Sequence, residues 1–86
     1  MKRTNVTYGQ LDKVLRSLGF SCWLSKEEPP ARVYEHKESG ALLTVPPFPV
    51  DDFVLDYHLV GARTTVDFFG IADRKVFDAK LEKVAG

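Results

Sequence analysis

Eighty-six residues with a 44% hydrophobic share are enough for one packed core and too few for two, so a single small domain is expected. Twelve basic residues against twelve acidic ones give a formal charge of zero, which removes the broad positive field of a general nucleic-acid packager. One cysteine, Cys22, excludes an internal disulfide framework and a cysteine-based zinc site, and no apolar run is long enough to span a bilayer, so a chain without a membrane partner in the reducing cytoplasm is expected.

Residues 1–6 are polar and read as a flexible N-terminal segment, which leaves residues 7–86 as the folded domain. Thr7 followed three positions later by Gln10 is a capping box, and Leu11, Leu15 and Leu18 recur at four and three residues with Val14 beside them. A helix over 8–18 is predicted, closed by Gly19. Phe20 to Ser25 alternates, placing Phe20, Cys22 and Leu24 on one side and Trp23 on the other. Pro29-Pro30 breaks that strand, a second follows over 31–37, and Glu38-Ser39-Gly40 turns it into a third over 41–45. The prolines of 46–49 mark an extended connector. Leu55, Leu59, Ala62, Val66 and Phe69 keep helical spacing, so a helix over 56–69 is predicted, followed by another that Asp73 caps and that carries Phe77, Leu81 and Val84. The predicted class is α+β in the order αβββα(α), with a three-stranded antiparallel sheet and helices on one face.

Residues able to carry chemistry are few. The two histidines, His36 and His58, are the natural groups for acid–base work near neutral pH, but neither comes with a motif. Alternation groups His36 with Arg32 and Tyr34, which reads either as a basic and aromatic strip for a phosphate or a base, or as a solvated stretch of hairpin. His58 falls in the first turn of its helix and reads as packing or capping. No paired metal-ligand spacing and no glycine-rich nucleotide loop occurs, so neither metal nor cofactor is expected. Cys22 alternates with apolar residues and reads as core, and Asp51, Asp52 and Asp56 read as acidic residues favouring a helix start. Trp23, opposite Cys22, marks an interaction surface that a second copy, a protein partner, a stacked base or the last helix would cover.

Tyr8-Gly9-Gln10-Leu11 with Leu15, Leu18, Gly19 and Phe20, then Glu38-Ser39-Gly40 leading to Leu43-Thr44-Val45-Pro46, resemble the small HicA-type toxins. His58-Leu59, Phe69-Gly70 and Asp73 extend the resemblance to HicA-like relatives with an additional C-terminal helix. It implies a fold like the double-stranded-RNA-binding domain, messenger-RNA cleavage and a partner antitoxin. It also implies an active-site histidine in a Gly-Ser-His segment opening the second strand, where this chain has Pro29, Pro30 and Ala31. Alanine neither accepts nor donates a proton, so the catalytic role does not carry over, and Glu27 and Glu28 add negative charge nearby.

Three readings follow. The first is a HicA-like domain without nuclease chemistry that binds RNA through Lys13, Arg16, Arg32 and Tyr34, or binds an antitoxin-like protein. The second is an active ribonuclease in which His36 or His58 supplies the missing base. The third is an interaction module that self-associates, as a homodimer, through its sheet face or an edge strand without nucleic acid.

Overall fold

In a computed structural model of the chain, which describes residues 2–85, the elements run β1 (Arg3–Thr7), α1 (Tyr8–Ser17), β2 (Ser21–Ser25), β3 (Ala31–His36), β4 (Ala41–Val45), β5 (Phe53–Leu55), α2 (Asp56–Phe68) and α3 (Arg74–Ala85). The class is α+β, with a three-stranded antiparallel sheet in the order β2-β3-β4.

The capping box forms in full. The Thr7 hydroxyl accepts the Gln10 amide at 3.2 Å, and the Gln10 side-chain oxygen accepts the Thr7 amide at 2.8 Å. Gln10 also donates its side-chain amide to the Val84 carbonyl at 3.1 Å, so the residue that starts α1 holds the end of α3 as well. At the other end of α1 the chain reverses through Gly19 at φ +99°, a conformation costly for any residue with a Cβ, and the Phe20 amide returns to the Leu15 carbonyl. Asp73 caps α3 by accepting the Val76 amide at 2.9 Å.

Pairing in the sheet sets its two faces. Cys22 lies opposite Tyr34, and Tyr34 opposite Leu43; Trp23 lies opposite Val33, and Val33 opposite Thr44. The first set packs on a core that includes Leu11 and Leu15 of α1 and Leu59, Ala62 and Val66 of α2, completed by Phe77 and Leu81 of α3. The second set faces away from the helices.

Two features depart from the expectations. The segment 1–6, read as flexible, supplies β1 over Arg3–Thr7; Met1 lies outside the described residues. Residues 53–55, between the connector expected over 46–49 and the expected helix and given no element of their own, supply β5, which pairs antiparallel with β1 in a second, two-stranded sheet. Thr4 fastens the pair by donating its hydroxyl to the Val54 carbonyl at 2.9 Å, and Val6 and Val54 carry it into the core. This small ladder contacts all three helices through β1, which commits both ends of the chain to one core.

Candidate functional site

Ala31 opens β3 on the rim of a shallow apolar groove of about 410 Å³, lined by Pro29, Pro30, Ala31, Thr44, Val45, Pro46 and Pro47. None of these side chains titrates or carries charge. Ring carbons and methyl groups there offer van der Waals contact but no proton donor or acceptor beyond the Thr44 hydroxyl.

The histidines stand elsewhere. His36 is at the far end of the same strand, five residues or about 16 Å along it. It is buried at 9% exposure, not solvated as one reading of the hairpin has it. Its Nδ1 accepts from the Ser39 amide at 3.3 Å and lies 2.8 Å from the Ser39 hydroxyl, while its ring packs 5.2 Å from that of Phe20. The other edge lies over Gly19, where a Cβ would come within 3.2 Å of Nε2. These contacts fasten the β3–β4 turn to the end of α1.

His58 belongs to a second knot. The Tyr8 hydroxyl accepts the Leu55 amide at 3.3 Å and is hydrogen-bonded to His58 Nδ1 at 2.9 Å, the imidazole tautomer setting which of the two donates. The rings of Tyr57 and Phe48 flank the imidazole, at 4.1 Å and 6.4 Å between centroids. Burial among them lowers the His58 pKa below the ordinary imidazole range, so the neutral form is favoured. With Tyr8 itself buried, this arrangement joins the start of α1 to the start of α2.

The residues expected to meet RNA do not form one surface. Tyr34 is buried at 1% exposure, so it has no face on which a base can stack, and the strip of Arg32, Tyr34 and His36 turns toward the helices rather than outward. Its hydroxyl donates to Asp12 Oδ1 at 2.7 Å. Burial, then the bond and charge of Asp12, raise its pKa far above that of a free phenol. The other carboxylate oxygen of Asp12 accepts from Arg16 Nε at 2.9 Å, and this bond and charge hold the guanidinium still more firmly protonated. Arg16 therefore faces solvent with its charge already balanced. Lys13 is exposed on α1, and Arg32 is half-buried between Leu24 and Val45, on the face of β3 that it shares with the buried Tyr34. Arg3 is taken up by β5, donating to the Phe53 carbonyl and lying 5.8 Å from the centre of the Phe48 ring.

Trp23 is where alternation put it, on the outer face, and it is 46% exposed. The last helix does not cover it, because α3 packs on α1, α2 and β1. Val33, directly opposite on β3, is buried on that same outward face at 8% exposure, and Leu42, two residues further along the sheet on β4, is 56% exposed on that face. Leu24, on the other face of β2, is also 60% exposed, so this edge strand presents apolar side chains on both sides.

No group of three or more potential metal ligands occurs among the described residues, and none of their helices is long and apolar enough to cross a membrane. The chain matches no protein-family model, no curated protein and no solved structure.

Proposed function

We propose that this chain is a non-catalytic, HicA-like interaction domain whose ligand is a polypeptide, such as an antitoxin-like protein, docked on the outer face and open edge of the three-stranded sheet. The observation that carries this reading is the half-exposed Trp23, which lies opposite the buried Val33 on a face no helix covers, with the exposed Leu42 on the same face of β4. Large aromatic rings on a partly dry apolar floor are the usual anchors of protein interfaces. Edge strand β2 adds unpaired backbone groups to which an extended segment can align.

The charges favour a polypeptide over RNA. RNA binding draws its strength from neutralised phosphates and its selectivity from stacked bases, and here Arg16 is neutralised by Asp12 while Tyr34 is buried. Catalysis loses support on the same grounds, since the groove at Ala31 has no titratable lining and both imidazoles are held by structural partners.

The test immobilises the full chain and its Trp23→Ser variant, exposes both to extract of the source cell with and without ribonuclease, and measures structured-RNA binding at two salt concentrations. A polypeptide held by the native chain, lost from the variant and indifferent to ribonuclease is expected. RNA binding whose affinity falls linearly with salt on logarithmic axes would overturn the reading.

A further inference from the structure

We propose that α2 carries a second interface, on which it pairs antiparallel with α2 of another copy of this chain, Tyr57 lying against the other copy's Phe68 and Gly61 against its Thr64. The inference is independent of the sheet-face reading and rests on different residues.

Helix α2 is apolar on two opposite sides. Leu59, Ala62 and Val66 enter the core, whereas Tyr57, Gly61, Thr64 and Phe68 follow one another at four, three and four residues on the opposite side. That spacing is the seam of two helices packed along their length. A surface helix is expected to be polar there, yet Tyr57 is 54% exposed, Val60 47% and Phe68 80%.

Gly61 has no explanation within the chain. A glycine in the middle of a helix costs about 1 kcal/mol relative to alanine, and a Cβ at this position meets nothing within 4 Å. The absence of a side chain gains value only when something outside the chain approaches the helix backbone closely.

The pattern is complementary to itself. When two such helices run antiparallel about a twofold axis between residues 62 and 63, Tyr57 meets Phe68 at both ends and Gly61 meets Thr64 at both positions near the centre. Bulk then faces bulk at the rims, and small residues face small ones where the axes come closest. The seam carries no charge, so joining two identical faces opposes no like charges. Arg63 is held at the side by Asp78, and Asp67 by Arg74. With roughly 150–250 Å² for a whole aromatic side chain, the two rings present about 200–330 Å² per copy at their observed exposures. A standard interface takes about 800 Å² per partner, so the rings supply its apolar centre and the rest of the helix its rim, which fits a small interface and a weak dimer.

Sedimentation equilibrium of the full chain from low micromolar to millimolar concentration tests this. A monomer–dimer equilibrium is expected, weakened at least tenfold by Phe68→Asp and by Gly61→Glu, and unchanged by Trp23→Ser. Both seam variants alter exposed or open positions, and circular dichroism verifies their fold. In a Cys22→Ala background, Gly61→Cys with Thr64→Cys is expected to oxidise to a covalent dimer. A monomer throughout, a dimer indifferent to both seam substitutions, or a dimer abolished by Trp23→Ser alone would overturn the proposal.

Discussion

The Tyr34 hydroxyl donates to one oxygen of Asp12 while Arg16 holds the other, so a single carboxylate on α1 binds the middle strand of the sheet and a cation of its own helix. Tyr34→Phe removes the first bond without removing the ring from the core. The Asp12 carboxylate keeps Arg16 and partial access to water, so a loss of about 1–2 kcal/mol is expected. Urea unfolding checks it, as a lower midpoint at unchanged slope.

His58 gives the fold a pH dependence of fixed sign. Its folded pKa is lowered by burial, so at intermediate pH the unfolded chain binds a proton that the folded chain refuses. Its contribution is complete above the free-imidazole value near 6.5. It declines as the pH falls from there through the lower folded value, and it changes no further below both. Melting temperatures between pH 8 and pH 5 are expected to fall more steeply for the native chain than for His58→Asn, which keeps an acceptor but does not titrate.

Gly19→Ala is expected to cost about 2 kcal/mol or more. The φ of +99° is unfavourable for alanine, and the new methyl group presses on His36 Nε2 at 3.2 Å, where the imidazole is already held by Ser39. For a domain of this size, that corresponds to a melting point lower by roughly 10 °C. Gly61→Ala is the control, since its methyl group enters open space and the helix gains propensity.

RNA incubated with the purified chain is expected to stay intact at the rate set by buffer alone. Neither His36→Ala nor His58→Ala changes that rate if no imidazole serves as a base. Hydrolysis that disappears in one of these variants while circular dichroism shows it folded would identify a catalytic histidine.

Much of the architecture is legible along the chain because its signals are local. Thr7 and Gln10 stand within one turn, Leu11 and Leu15 repeat at helical spacing, and Glu38-Ser39-Gly40 sits between two β-rich runs. The β1–β5 pair is not legible, since β1 has one buried apolar residue, Val6, and its partner lies 50 residues away. Alternation groups Arg32, Tyr34 and His36 correctly on one face but leaves open which face meets the helices. The pairing of Tyr34 with Cys22 and Leu43 decides that, and it withdraws the expected RNA-facing strip. The second stripe of α2 was open to reading in Tyr57, Thr64 and Phe68, but the stronger repeat of Leu59, Ala62 and Val66 masks it.

The ladder between β1 and β5 acts as a clasp on everything between them. Bringing its two sides together across 50 residues costs about 3–4 kcal/mol in chain entropy, and no local turn helps. Opening it frees the side chains of Arg3 and Thr4 and uncovers Val6 and Val54. Amide protons of this two-stranded pair are expected to exchange with solvent sooner than those of β3, which is paired on both sides, and hydrogen exchange measures the difference.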